Sequence, residues 1–202
     1  MSEIFLSVIL LFPHTISSDN ELFHGVTIYG KGMELAAESF TLYNQNYEIV
    51  YTRENPDANT FFISNTGVVF ALNEKRLYRY NQNGEELLLK NLNYPNGFGF
   101  STDNFLFFAS DKDGIFAYSN EGDLIYKLNP GRLFASTAKG RLVAIISTDT
   151  LFIYEDGIHK FMKRLSTPYA RNVSFSNDEK SIIVKEPTKI EMFDSQTDQE
   201  LQ

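Results

Sequence analysis

The sequence has no cysteine and no tryptophan in its 202 residues, and it has only three histidines. The lack of cysteine excludes disulfide bonds, thiolate metal ligands and cysteine nucleophiles. It does not fix the compartment, because cytosolic and secreted proteins can both lack cysteine. The histidines, His14, His24 and His159, share no metal-ligand spacing and suggest no serine-histidine-aspartate triad. We therefore expect no cofactor and no catalytic residues.

A long hydrophobic run is also missing. The longest one, residues 4–12, is far shorter than the roughly 20 residues that a membrane-spanning helix needs. Glu3 precedes it where a signal peptide would carry basic residues, and no small-residue cleavage site follows promptly. The β-branched and aromatic content of the run is typical of a buried strand. We therefore favour a cytoplasmic protein, with secretion as the alternative if residues 1–18 form a signal.

Positive charge is scarce. The 18 lysines and arginines are outnumbered by 26 aspartates and glutamates, which gives a net charge of -8. Such a field repels phosphate backbones and anionic lipid surfaces, so nucleic acid and membrane are disfavoured as partners. The hydrophobic fraction of 43% is sufficient for a sizeable core, and the length fits a single domain.

Helical periodicity is almost absent. Short runs rich in aromatic and β-branched residues alternate with turn dipeptides, which are Asn83-Gly84, Asp113-Gly114, Glu121-Gly122 and Asp156-Gly157. This alternation is typical of β-hairpins. The sequence therefore predicts an all-β chain.

The chain also repeats itself, with a period of about 35 to 47 residues that is typical of propeller blades. A serine that ends an apolar strand recurs at Ser17, Ser64, Ser101, Ser136 and Ser176. An aromatic residue that precedes a polar turn recurs at Tyr43, Tyr80, Tyr118, Tyr154 and Phe193. A proline precedes each serine, at Pro13, Pro56, Pro95, Pro130 and Pro168. We interpret these aromatic residues as packing between neighbouring repeats, which cannot bury their apolar faces alone.

Each repeat is interpreted as four strands, named a to d in chain order. We predict a five-bladed β-propeller of four-stranded antiparallel blades that fills a single domain over residues 1–202. The blades span about residues 14–53, 57–91, 96–129, 131–165 and 171–202. The fifth repeat ends soon after its strand c and leaves an edge that needs a partner. We predict that the N-terminal strand, residues 3–12, closes this last blade. In the alternative, residues 197–202 form its short strand d and the N-terminal run is a signal or a flanking element.

One block carries a family resemblance. Residues 94–104 (YPNGFGFSTDN), followed by residues 115–118 and Glu121-Gly122, resemble a blade of NHL-type, WD-type and gluconolactonase-like propellers. In gluconolactonase-like propellers an asparagine binds a divalent metal, and the resemblance makes Asn96 the weak metal candidate. A hard cation also needs several carboxylates, and none falls at the matching landmarks. Residues 110–114 resemble the opening of a calcium loop, but the closing glutamate is missing, which favours a tight turn.

The candidate binding face consists of the loops that join strand d to strand a and strand b to strand c. Its predicted residues are Tyr94, Asn96, Arg132, Tyr169, Arg171, Asn172, His14 and Asp57. Tyrosine and arginine are enriched where proteins bind partners. We therefore predict a non-catalytic module that binds a protein or peptide. Two alternatives stay open: a metal-dependent sugar-lactone hydrolase-like enzyme, and a carbohydrate-binding propeller with equivalent pockets between its blades.

Overall fold

The computed structural model describes residues 8–11, 23–29, 39–44, 46–101, 103, 105–197 and 200–201. These residues form twenty strands in five four-stranded antiparallel sheets, and within every sheet the strands follow one another in chain order. The described residues contain one short 3₁₀ turn, Ala138–Gly140, and no helix long and apolar enough to cross a membrane.

Each sheet is a contiguous meander. The first sheet contains β1 (Val8–Leu11), β2 (Phe23–Tyr29), β3 (Ser39–Asn44) and β4 (Ile49–Glu54). The second contains β5 (Thr60–Ile63), β6 (Val69–Leu72), β7 (Arg76–Tyr80) and β8 (Glu86–Asn91). The third contains β9 (Gly97–Phe100), β10 (Leu106–Asp111), β11 (Gly114–Ser119) and β12 (Leu124–Leu128). The fourth contains β13 (Leu133–Ser136), β14 (Leu142–Ser147), β15 (Thr150–Glu155) and β16 (Ile158–Arg164). The fifth contains β17 (Asn172–Phe175), β18 (Ser181–Lys185), β19 (Ile190–Asp194) and β20 (Glu200–Leu201).

The chain divides into two compact units. The first unit consists of residues 1–92 and 120–122 and contains the first two sheets. The second unit consists of residues 93–119 and 123–202 and contains the other three.

The N-terminal strand is not where the repeat predicted it. The prediction that residues 3–12 close the last blade is wrong, because β1 pairs with β2, with Val8 opposite Ile28 and Leu11 opposite Gly25. The fifth sheet has its own fourth strand, β20, whose Leu201 lies opposite Met192. Both edges of β19 are thus occupied by strands that are close in sequence, so β19 has no free edge for a strand from the other end of the chain. The alternative is confirmed in its first half, a short strand d within residues 197–202. Its second half is wrong, because Val8–Leu11 is a strand of the first sheet and not a signal or a flanking element.

Strand β14 of the fourth sheet is buried on both faces. Val143 and Ile145 pack against the third sheet in a cluster that includes Phe108. Ala144 and Ile146, which point to the opposite side, pack in a second cluster with side chains of the fifth sheet. A strand covered on both sides has no need of alternating polarity, so β14 is continuously apolar from Leu142 to Ile146.

Three of the recurrent aromatic residues, Tyr80, Tyr154 and Phe193, are buried and connect neighbouring sheets within each unit. In the first unit the ring of Tyr80 lies 5.0 Å from that of Phe40 of the first sheet, in an edge-to-face arrangement. In the second unit Tyr154 packs with side chains of the third sheet and Phe193 with those of the fourth. The predicted packing between repeats is confirmed for these three residues.

The recurrent serine closes the turn from the first strand of a sheet to the second by a side-chain hydrogen bond. The side-chain oxygens of Ser64, Ser101 and Ser176 accept the backbone N–H of Val68, Leu106 and Ser181, at 3.1, 3.0 and 3.0 Å. In the fourth sheet this role belongs to Thr137, whose Oγ1 accepts the N–H of Leu142 at 2.9 Å. The residue equivalent to the recurrent serines is therefore Thr137, one position after the predicted Ser136, because threonine offers the same hydroxyl acceptor.

Candidate binding surface

The loop that enters the third sheet is clamped to the turn between β10 and β11. Asp111 has no exposed surface, and its carboxylate accepts the backbone N–H groups of Asn93 (3.1 Å) and Asp113 (2.8 Å). Asn93 also accepts the N–H of Lys112 through its carbonyl, at 2.9 Å. The segment that resembled a calcium loop is therefore a tight turn in which Asp111 lies opposite Gly114, as the sequence favoured.

This clamp presents Tyr94 to solvent. The side chain of Tyr94 is 79% exposed, and its backbone lies in the left-handed region with φ of 54°. Such a conformation is uncommon for a bulky residue and persists only where neighbouring contacts enforce it. The ammonium group of Lys112 lies 5.5 Å from the centre of the Tyr94 ring, within range of a cation–π interaction.

The loop that enters the fifth sheet, residues 165–171, is held at both ends. Leu165 and Ala170 are buried, and the N–H groups of Leu165 and Arg171 donate to the carbonyls of Asp149 and Lys185, each at 2.7 Å. Between these anchors Tyr169 is 69% exposed. The loop is therefore a fixed platform for one exposed aromatic side chain.

Arg132 fastens this platform to the fourth sheet. Its Nη2 donates to the carbonyl of Ala170 at 2.6 Å and to that of Pro168 at 3.4 Å. The guanidinium group has five N–H donors, so donors remain for a ligand. Arg132 therefore holds the loop by the carbonyls of the two residues on either side of Tyr169.

A groove of about 340 Å³ lies between β9 and β13 and is lined by residues 96–100 and 132–136. The space exists because β9 carries glycines. A Cβ on Gly97 would come within 2.9 Å of the Phe134 ring, whereas a Cβ on Gly99 would meet nothing within 4 Å. The groove brings together Asn96 and Arg132, two of the residues predicted for the binding face.

The other predicted residues are distributed differently. Asn172 is exposed, begins β17 and lies opposite Lys185. Arg171 is exposed beside it. Asp57 belongs to the first compact unit, and His14 lies outside the described residues.

The carboxylate of Asp57 is occupied within its own unit. It accepts hydrogen bonds from the Tyr78 hydroxyl (2.8 Å), from Arg76 (2.9 Å) and from the side-chain amide of Asn73 (2.9 Å). The hydrogen bond from Tyr78, with those from Asn73 and Arg76, holds the pKa of Asp57 below its usual range. These contacts tie the entrance of the second sheet to the turn between β6 and β7.

The fifth sheet has a comparable cluster that sequence analysis missed. Glu186 is 3% exposed and Glu191 is 7% exposed, and the Ser166 hydroxyl donates to the Glu186 carboxylate at 3.2 Å. Lys189 forms a hydrogen-bonded ion pair with Glu191. Burial alone would raise the pKa of Glu191, but hydrogen bonds from Lys189 and Ser166 outweigh it and hold the pKa below its usual range.

A signal for this cluster was present in the sequence. The residue two positions before the recurrent aromatic residue is Tyr78 in the second sheet, Phe116 in the third and Phe152 in the fourth. In the fifth sheet that residue is Glu191. In the first sheet it is Thr41, so the position is aromatic in three of the other four repeats. A charged residue at this position indicates a local polar network.

A second groove, of about 360 Å³, lies in the first unit, where Asn81, Asn83 and Asn120 contribute to its lining. The Nε of Arg79, also in the lining, donates to the carbonyl of Asn120 at 2.5 Å. The side chain of Asn81 accepts the N–H groups of Asn83 and Glu85, which closes the turn between β7 and β8. This polar lining differs from that of the groove between β9 and β13, so the two are not equivalent pockets.

The metal candidate Asn96 takes part in the backbone pairing of the third sheet. The backbone N–H of Asn96 donates to the carbonyl of Ser110 at 2.9 Å, which fixes the strand entrance. Within the described ranges no three histidine, aspartate or glutamate side chains come together as a metal site.

Comparison with solved structures agrees with the sheet organisation. The chain is similar to Hsv2 from Kluyvelomyces marxianus, with a TM-score of 0.62 and 13% identity over 88% of this chain and 59% of that one. It is also similar to a eukaryotic initiation factor, with a TM-score of 0.69 and 11% identity over 95% of this chain and 56% of that one. The chain thus spans less than two thirds of both structures. No protein-family model and no curated protein sequence matches it.

Both structures are propeller-like, and at such low identity they show the fold alone. Together with the five four-stranded antiparallel sheets of the described residues, they confirm the predicted fold class, an all-β propeller of four-stranded blades. The resemblance to NHL-type and gluconolactonase-like families stays a prediction.

Proposed function

We propose that the chain is a non-catalytic module that binds a protein or peptide through the entrance loops of its second compact unit. The observation that carries this proposal is the exposure of two large aromatic side chains, Tyr94 (79%) and Tyr169 (69%), on loops that buried anchors hold in place. Tyrosine offers a large contact area with few rotatable bonds, which is why it is frequent in binding sites.

Preorganisation supports the same proposal. A loop that is already ordered loses little conformational entropy when a partner binds. The Tyr94 loop is held by Asp111, and the Tyr169 loop is held by Arg132 and by its own buried residues, Leu165 and Ala170. Neither anchor depends on a ligand, so both tyrosines are presented before a partner arrives.

The two alternative functions have less support. A sugar-lactone hydrolase would need oxygen ligands converging near Asn96, and the described residues place no such cluster there. A carbohydrate-binding propeller would need matching pockets, whereas the two grooves have different linings. Assignment to an NHL-type or gluconolactonase-like family stays a prediction from the resemblance of residues 94–104.

The test is a pull-down from an extract of the source cells, with the wild-type chain and with the double variant Tyr94→Asn/Tyr169→Ala as baits. Asparagine tolerates the left-handed backbone at position 94. We expect the wild type to retain a partner that the double variant loses. The matched control is Tyr47→Asn, because Tyr47 is similarly exposed (67%) and also left-handed (φ of 62°), but lies in the turn between β3 and β4. Equal retention by all three baits would refute the proposal.

A further inference from the structure

Three exposed cations lie around the loop that enters the fifth sheet. Arg132, Arg171 and Lys185 are all exposed, and in the described part of the chain none of them forms an ion pair. This is unexpected in a chain with a net charge of -8, where acidic side chains are in excess. Three unpaired cations in one place indicate a local positive field within an acidic protein.

The acidic groups of the neighbouring turns offset this field only in part. Glu191 is paired with Lys189, and the buried Glu186, which accepts a hydrogen bond from the Ser166 hydroxyl, leaves one carboxylate against the three cations. Asp149, in the turn between β14 and β15, forms an ion pair with Arg164 at 3.0 Å. The outward-facing groups that remain at this loop are cationic.

The backbone brings the three cations to one loop. The guanidinium group of Arg132 touches the carbonyl of Ala170 at 2.6 Å, one residue before Arg171. The N–H of Arg171 donates to the carbonyl of Lys185 at 2.7 Å. Tyr169, two residues before Arg171, is exposed on the same loop. We call Arg132, Tyr169, Arg171 and Lys185 the basic surface.

We propose that the basic surface binds an acidic peptide segment of a partner protein. This inference rests on the proposed function and names the chemistry of its ligand. Arginine forks match carboxylates bidentately, and the face of Tyr169 offers an apolar contact between the charges. Arg132 also lines the groove between β9 and β13, which has room beside Gly99 for one apolar side chain of the same peptide.

The overall charge favours a peptide over a longer polyanion. At physiological ionic strength a charge is screened beyond about 8 Å. A peptide with a few carboxylates meets mainly the three cations, whereas a nucleic acid or an anionic bilayer would extend over the acidic remainder of the surface.

The test uses fluorescence anisotropy with a fluorescein-labelled peptide of six glutamates around a central leucine. We expect saturable binding to the wild-type chain that weakens as salt is raised, and none of a peptide with lysine in place of glutamate. The variant Arg171→Gln/Lys185→Gln removes two of the cations and leaves the Arg132 contact with Ala170 intact. We expect it to weaken binding about fivefold or more.

The matched control is Lys139→Gln/Lys180→Gln, which removes the same charge from the turns before β14 and β18. Chemical denaturation of each variant verifies folding. The variant Gly99→Val fills the groove. We expect it to weaken the binding of the leucine-containing peptide more than the binding of a peptide that has glycine in place of that leucine. Absent binding, or equal weakening by the control, would overturn the proposal. Equally tight binding of an oligothymidylate or of phosphatidylserine vesicles, lost in Arg171→Gln/Lys185→Gln, would also overturn it.

The outcome is separable from that of the proposed function. If the peptide does not bind but the pull-down partner is lost with Tyr94→Asn/Tyr169→Ala, only the acidic ligand is wrong. If the peptide binds and the tyrosine changes do not affect retention of the pull-down partner, the basic surface is supported as an acidic-peptide site and the proposed role of the tyrosines is wrong.

Discussion

Replacing Thr137 by valine tests whether the recurrent hydroxyl side chain stabilises the fold through its hydrogen bond in the turn between the first two strands of a sheet. Thr137 is 1% exposed, and its Oγ1 accepts the backbone N–H of Leu142, a residue without exposed surface, at 2.9 Å. Valine has nearly the same shape but cannot accept this hydrogen bond. A buried donor left without a partner costs about 1 to 3 kcal/mol. We therefore expect Thr137→Val to lower the free energy of unfolding by about 2 kcal/mol.

The matched control is the residue immediately before it. Ser136 is half-buried at the end of β13 and does not make the turn hydrogen bond. We expect Ser136→Ala to change stability by less than about 0.5 kcal/mol. Thr137→Ser retains the hydroxyl and should recover most of the loss.

The assay is urea unfolding followed by circular dichroism. With a slope of about 2 kcal/mol per molar urea, Thr137→Val should lower the midpoint by about 1 M and leave the slope unchanged. The reasoning is refuted if Ser136→Ala shifts the midpoint as much as Thr137→Val, or if Thr137→Val shifts it by less than about 0.2 M.

Two further outcomes follow from the packing and charges of the second unit. Gly131→Ala should lower the free energy of unfolding in urea by about 1 to 3 kcal/mol, because the new Cβ would lie 2.1 Å from Ile145 Cγ2. Gly99→Ala should leave this free energy nearly unchanged, because nothing lies within 4 Å of a Cβ at that position. Because the folded-state pKa of Glu191 is lowered from 4.5, its ionised form stabilises the fold above the unfolded pKa, and this stability is lost as pH falls through the folded pKa. Stability measured between pH 7 and pH 3 should therefore fall less steeply for Glu191→Gln than for the wild type, and parallel curves would contradict this.

The sequence was sufficient for the architecture because each repeat signals its own strands. The hydroxyl at Ser64, Ser101 and Ser176 closes the same turn, and Tyr80, Tyr154 and Phe193 fill equivalent positions between sheets. These signals are local, so a single sequence reveals them. The assignment of strand β1 failed because strand pairing depends on which edges are free, and the two-residue strand β20 is too short to give a signal.

The candidate site was only partly predictable for a related reason. Loop residues such as Tyr94 and Tyr169 could be selected because prolines mark the entrances of the sheets. Their partners could not be predicted, since the bond from Arg132 to Ala170 spans 38 residues and depends on how neighbouring sheets pack. The groove between β9 and β13 likewise depends on which side chains of β13 lie against the glycines of β9, and no motif predicts that.

The most direct test of the fold is a disulfide cross-link, which is unambiguous because the chain has no cysteine of its own. Ile9 lies opposite Thr27 on adjacent antiparallel strands, where the Cα atoms are about 4.5 to 5.5 Å apart, within the range that a disulfide bridges. We predict that Ile9→Cys/Thr27→Cys forms an intramolecular disulfide under mild oxidation, detected as a mass loss of two hydrogens. A cross-link in Ile9→Cys/Met192→Cys instead, with none between positions 9 and 27, would contradict the arrangement in which every sheet is built from consecutive strands.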